Sequence, residues 1–204
     1  ISLEKPSDLG IHWPVVGGTW GLAWTRGYGQ LIEILYADEL KTVWAFTIFQ
    51  GTLEMGEMVR IDNFAFPGDP WESFSIPFTE CRYPSSLGDF PAWFMPGREK
   101  TWAIFVHGKG ASRREALRLL PTIHELGFPC LIITYRNDDD AAPDQSGFYS
   151  YGQNEWRDLE ASVNYGLCMG AAAVIVIGYS MGGAIVTNFL LESSLSDRVR
   201  GVIL

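Results

Sequence analysis

Basic residues are scarce in this sequence. Fifteen lysines and arginines stand against twenty-four aspartates and glutamates, so the 204 residues carry a formal net charge of −9. A surface of that sign repels phosphate backbones, which argues against nucleic acid as a partner. Apolar runs long enough to span a bilayer are lacking, and no signal-peptide pattern opens the chain, so a cytoplasmic location is expected. The first residue is Ile1 and not Met, which leaves room for an upstream segment, a membrane anchor and hence a tethered form included. Cysteines number three, Cys81, Cys130 and Cys168, far apart and without CxxC spacing. That excludes a disulfide framework, argues against a metal site, and suggests buried free thiols in a reducing compartment. Histidines also number three, His12, His107 and His124, and all lie in the first two-thirds of the chain.

What is abundant is apolar and aromatic. Hydrophobic residues make up 47% and charged ones 19%, enough for a packed core. Residues 1–78 read as a small β-rich module, with short strands at Thr19–Trp24, Gln30–Tyr36, Thr42–Phe49 and Glu57–Asn63. Its tryptophans (Trp13, Trp20, Trp24, Trp44) suit core or interface packing better than ligand stacking. Phe66–Pro70 looks like a linker. Residues 79–204 alternate short apolar strands with amphipathic helices. A hairpin is expected over Glu80–Tyr83 and Phe90–Met95, and strands over Thr101–Val106, Cys130–Tyr135, Ala173–Gly178 and Val199–Leu204. Helices are expected from a Ser112/Glu115 capping box to Gly127 with a kink at Pro121, from Asn154 as cap through Glu155–Leu167, and over Met181–Glu192. Such alternation predicts an α/β fold, a mostly parallel sheet with helices on both faces. Reacting groups in these sheets gather at the carboxyl ends of the strands, where His107-Gly108 and Tyr179-Ser180 both fall.

Within that frame Val176–Gly183, "VIGYSMGG", reads as a nucleophile on a sharp turn. The bare pattern G-x-S-x-G would arise by chance in roughly one such chain in six, so its setting carries the argument. An apolar strand runs straight into it and a helix leaves straight after it. Gly178 and Gly182 remove side chains that would clash around a strained serine, and Gly183 with Ala184 would let the helix approach the sheet. The amides of Met181 and Lys109 are the natural donors to an oxyanion. The Lys109 ammonium is expected to be solvated.

These motifs resemble the α/β-hydrolase superfamily. His107-Gly108-Lys109-Gly110 is similar to its HG oxyanion motif, Gly178–Gly183 to its GxSxGG elbow, and "YRNDDDAAPDQSGFYSYGQNEWRDLEASVNYG" to the post-β4 loop and helix of esterase- and peptidase-like bacterial members. The resemblance covers residues 79–204, about the first two-thirds of that fold. It implies a serine nucleophile at Ser180, a small-molecule or acyl substrate, no metal and no organic cofactor, with His107 holding loop geometry. Family order places the acid and the histidine after the serine, and neither loop is present here. The expectation is therefore a chain whose acid and histidine come from an absent C-terminal portion, the same polypeptide or a separate one, and which does not turn over alone. Asp138, Asp139 and Asp140 read as a solvated charge run, and Glu155, Asp158 and Glu160 as charges suited to a helix N-terminus. Hydrolysis of an ester, thioester or amide is the leading reading. A non-catalytic hydrolase-like scaffold or binding protein is a second, and acyl transfer or lactone opening on the same fold a third.

Overall fold

The computed structural model describes residues 1–4 and 18–204. His12 and Trp13 lie outside the described residues. The chain divides into two compact units, Ile1–Pro67 and Gly68–Leu204.

In the first unit β1 (Ser2–Glu4), β2 (Trp20–Trp24), β3 (Gly27–Ala37), β4 (Lys41–Gln50) and β5 (Arg60–Asp62) form one antiparallel sheet in the order β1-β4-β3-β2-β5. Turn chemistry sets the long β3–β4 hairpin: the Asp38 carboxylate accepts the Leu40 and Lys41 amides, both at 2.8 Å. Leu3, Leu22, Leu31 and Trp44 make the core on one face, so Trp44 is a packing residue. β1 was not expected from the sequence. At three residues it carries too few positions for alternation to show.

The second unit opens with α1 (Pro70–Phe74), within and beyond the segment read as a linker. Asp69 caps it, accepting the Trp71 and Glu72 amides at 2.8 and 2.9 Å, and Pro70 supplies a pre-set φ in the first turn. A mixed sheet follows, built from β6 (Thr79–Ser85), β7 (Gly88–Met95), β8 (Thr101–Val106), β9 (Cys130–Ile133), β10 (Ala173–Gly178) and β11 (Val199–Ile203) in the order β11-β10-β8-β9-β7-β6. Strands β9, β8, β10 and β11 are parallel, and the β6–β7 hairpin adds antiparallel to β9. Register pairs Ala173 with Thr101 and runs unbroken to Gly178 with Val106.

Helices cover both faces. α3 (Trp156–Cys168) and α4 (Met181–Glu192) pack Leu159, Val163, Ile185 and Phe189 onto the face of Trp102, Ile104 and Val106. The opposite face carries Ala103 and Phe105, and above it lie a 3₁₀ segment, Arg113–Arg118, and α2 (Leu120–Glu125). One kinked helix had been expected here. Proline has no amide and its ring clashes with the preceding turn, so the chain breaks at Leu119 and restarts with Pro121 in the first turn. Gly127, at φ 92°, then reverses the chain.

Three further expectations need correction. Asn154 does not cap α3: Glu155 stands at that position with no side-chain cap bond, because its carboxylate is turned to other donors. His124, expected from its place in the first helix to face solvent, is half-buried and its Nδ1 is covered, since α2 lies against the sheet. Cys130 is buried, but Cys168 is exposed at the end of α3 and Cys81 half-exposed.

Candidate active site

β10 delivers Tyr179 and Ser180 to the carboxyl rim of the sheet, and α4 begins at the next residue. Ser180 sits at φ 50° and ψ −114°, left-handed backbone that an L residue avoids unless its surroundings impose it. They do. The Tyr179 amide donates to Val106 O at 2.9 Å, and the Gly182 and Gly183 amides donate back to Tyr179 O and Ser180 O at 2.7 and 2.9 Å. A Cβ at Gly178 would lie 2.7 Å from the Gly182 carbonyl, and one at Gly182 would collide with Val106 O. At Gly183, by contrast, the nearest atom would be Leu204 Cδ2 at 3.6 Å. Close approach of α4 to β8 therefore depends on Gly182 and not on Gly183. Ser180 itself is exposed.

β8 ends in the second loop of the rim, His107–Gly110. A Cβ on Gly108 would stand 3.1 Å from Ser180 Cβ and 3.2 Å from Tyr179 O, so this loop lies against the elbow. Met181 N belongs to the first turn of α4, where no intrahelical acceptor exists. Neither it nor Lys109 N is taken up by another group among the described residues. The Lys109 ammonium is not merely solvated: it donates to Tyr151 Oη at 2.8 Å and stands 4.9 Å from that ring's centroid.

Behind the loop lies a polar network that the sequence did not disclose. His107 Nε2 meets Asp138 Oδ2 at 2.9 Å, with the two side chains 2% and 7% exposed. Asp138 also accepts the Tyr135 amide at 2.9 Å and the Tyr149 hydroxyl at 2.8 Å. Burial pushes the Tyr135 and Tyr149 phenols well up, and the Asp138 charge adds to the effect, so both remain protonated donors. The Tyr135 ring stacks on His107 at 4.4 Å, and its hydroxyl donates to His107 O at 2.9 Å. Glu115 Oε2 accepts the Gly108 amide at 2.7 Å, so its carboxylate serves the His107–Gly110 loop instead of closing a capping box with Ser112.

The acidic residues thus divide. Asp139 and Asp140 are exposed, the latter paired with Arg113, whereas the side chain of Asp138 is largely buried. Glu155 and Asp158 are fully buried. Glu155 accepts the Ser150 and Gly152 amides and the Ser150 hydroxyl, at 2.6 to 2.8 Å, and so shapes the loop before α3. Asp158 takes Arg136 bidentately, at 2.7 and 3.0 Å, together with the Arg136 amide and the Ser85 hydroxyl. Glu160 accepts from Ser193 at the end of α4. These carboxylates hold loops and helices together, and none acts as a free charge at a helix start. The residues near Asp138 could have been flagged by one signal: it follows a strand end on the same rim as His107.

Among the described residues no group of three or more His, Cys, Asp or Glu side chains is arranged to hold a metal ion, and no helix is long and apolar enough to cross a membrane.

No protein-family model matches the sequence, and no curated protein matches it. Solved structures do. An esterase of Pyrococcus furiosus superposes with a TM-score of 0.57 at 18% identity, over 66% of this chain and 54% of its own. An epoxide hydrolase from an endophytic Streptomyces gives 0.51 at 20% identity, over 61% of this chain and 36% of its own. Epoxide hydrolase A from Mycobacterium thermoresistibile gives 0.52 at 19%, over 62% and 38%. The chain spans about half the length of the esterase and little more than a third of the two epoxide hydrolases. Sheet order, elbow and structural neighbours agree: the protein is a β-rich module followed by a core with the α/β-hydrolase fold.

Proposed function

We propose that this chain carries the nucleophile and oxyanion hole of a serine hydrolase acting on an ester, thioester or amide. The observation behind the proposal is the exposed Ser180 at φ 50°, held between β10 and α4 by Gly178, Gly182 and the Val106 carbonyl. A strained conformation enforced from three sides, in a residue left exposed, suits a nucleophile better than a packing turn. Ser180 Oγ adds to the substrate carbonyl carbon as its proton passes to a histidine. The carbonyl electron pair becomes an oxyanion facing the Met181 and Lys109 amides, then re-forms the double bond as the leaving group departs with the proton. Water, deprotonated by the same base, next releases the acid and restores Ser180.

His107 does not serve as that base, because both its ring nitrogens are committed. His124 sits inside α2 with Nδ1 covered. Following the family order of serine, acid and histidine that the sequence resembles, we assign the histidine and its acid to a region outside residues 1–204.

The test combines intact mass, fluorophosphonate labelling and p-nitrophenyl ester turnover on the protein isolated from its source. Labelling at Ser180 that vanishes in Ser180→Ala, with turnover falling at least about 10³-fold, is the expected result. An alanine variant within tenfold of the parent removes Ser180 as nucleophile. A labelled protein no heavier than these 204 residues removes the external histidine.

A further inference from the structure

Ser180 is not the only exposed residue of the rim with left-handed backbone. Tyr151, in the loop before α3, stands at φ 51° and is 56% exposed. Sterics disfavour that conformation for a bulky residue, so its surroundings must impose it. Glu155, fully buried, accepts the amides on either side, Ser150 N at 2.6 Å and Gly152 N at 2.8 Å. Gly152 lies against α4, where a Cβ would stand 2.8 Å from the carbonyl of Ala184, about one helical turn beyond Ser180. Tyr151 is thus presented to solvent from a braced loop, next to the nucleophile's helix.

Lys109 approaches from the end of β8, directly after Gly108, whose Cβ would meet Ser180 Cβ at 3.1 Å. Its ammonium crosses to Tyr151 and donates to Oη at 2.8 Å. Neither loop needs this bond for its shape. Gly108 is already held by Glu115 at its amide and by Tyr135 at its carbonyl, and residues 150–152 are held by Glu155.

Charge and hydrogen bonding say what the pair is suited to hold. Lys109 makes no ion pair among the described residues, in a protein whose net charge is −9. After the bond to Tyr151 its two other N–H groups remain, and the Tyr151 O–H has no acceptor among the described residues. Converging donors with one positive charge and no neutralising carboxylate suit a singly charged anion. A carboxylate fits that charge, whereas a dianion would stay half unneutralised on an acidic surface.

We propose that Lys109 and Tyr151 are specificity-determining residues, whose ammonium and phenol receive a carboxylate carried by the substrate. The selected substrates are then esters with a free acid on a short tether from the scissile carbonyl, because the same Lys109 offers its amide to the oxyanion. This rests on the reading of Ser180 and Lys109 given above.

The test compares kcat/KM for matched esters at neutral pH, on the protein isolated from its source. p-Nitrophenyl monoadipate against p-nitrophenyl hexanoate places the acid on the acyl side. The hexanoate ester of 3-hydroxybenzoic acid against phenyl hexanoate places it on the leaving group. At least about tenfold preference for the acid in one pair is expected, the scale of a hydrogen bond to a charged group, and the pair that shows it locates the subsite. Turnover without preference in either pair overturns the proposal and leaves the hydrolase reading intact. Lys109→Met should bring the ratio within about threefold of unity, and Tyr151→Phe should lower it severalfold. Lys109→Glu should invert it. A ratio that survives Lys109→Met overturns the assignment. Raising the ionic strength from about 0.05 to 0.5 M should shrink the preference of the unmodified protein, since the pair is exposed. That measurement needs no variant, so misfolded substitutions leave the test standing, and a preference indifferent to salt counts against it. No turnover of any of the four esters, with no fluorophosphonate label at Ser180, removes the hydrolase reading and this one with it.

Discussion

Replacing Asp158 with asparagine keeps the shape of the side chain and removes its charge from a site with no exposure to solvent. Every side-chain hydrogen bond that Arg136 makes among the described residues goes to this carboxylate. Its two oxygens accept four donors, from the Arg136 amide, the Arg136 guanidinium twice and the Ser85 hydroxyl. An asparagine amide turned to either oxygen position would set donor against donor. It would also leave the guanidinium, in a residue only 5% exposed, without a counter-charge. Breaking a buried pair from one side costs about 3–5 kcal/mol, against a total stability of about 5–15 kcal/mol for a domain. At 2–4 °C per kcal/mol for a chain of this size, the melting temperature of the second unit should drop by about 6–20 °C. Far-UV circular dichroism during heating, with urea titration as a second probe, measures the effect. A loss below about 1 kcal/mol, the scale of an exposed pair, would refute the reasoning. Asp158→Leu combined with Arg136→Met should recover much of the loss, because no orphaned charge then remains.

Gly182→Ala places a methyl group against Val106 O and should cost about 1–3 kcal/mol along with fluorophosphonate labelling of Ser180. Gly183→Ala, one residue on and meeting only Leu204 Cδ2 at an ordinary contact distance of 3.6 Å, should leave labelling intact and add up to about 1 kcal/mol through helix propensity. Thiol reagents near pH 8 should modify exposed Cys168 quickly and Cys130 only on unfolding, because burial pushes the Cys130 thiol up to about 12. Equal rates for the two would contradict the burial. Thr42→Val should stabilise the first unit by up to about 1 kcal/mol, since the buried Thr42 hydroxyl has no hydrogen-bond partner among the described residues; a drop in melting temperature would show that the hydroxyl is served.

Sequence pattern disclosed the second unit well because its strands are short apolar runs bounded by glycine and its helices have one wet face. Thr101–Val106 and Ala173–Gly178 were readable to the residue, and so was the elbow between β10 and α4. Charged residues were not readable in the same way. A carboxylate carries no mark of where it will be taken: Asp138 and Asp139 are neighbours in "NDDDAA", yet one is sealed against His107 and the other faces water. Asp158 and Glu155 sat where a helix dipole would welcome them, and that sufficient local reason concealed partners 22 residues away in the case of Arg136 and five in the case of Ser150. Glu115 shows the same thing, since the spacing of a capping box was present and its carboxylate was drawn to Gly108 instead. Local rules rank neighbours in sequence, whereas these side chains are claimed by tertiary ones.

The pairing of β10 with β8 has a consequence for how the site assembles. Gly178 lies opposite Val106, so the elbow and the His107–Gly110 loop both begin one residue beyond a matched pair. A slip of a single residue would displace the two loops by about 3.3 Å, more than the tolerance of a hydrogen bond, and would turn Ile104 and Phe105 to the wrong faces of the sheet. The alignment that juxtaposes Ser180 with Gly108 is therefore the same one that buries the core strands. Folding selects it for hydrophobic reasons, and a molecule that has packed its sheet correctly has already set the spacing between the two loops.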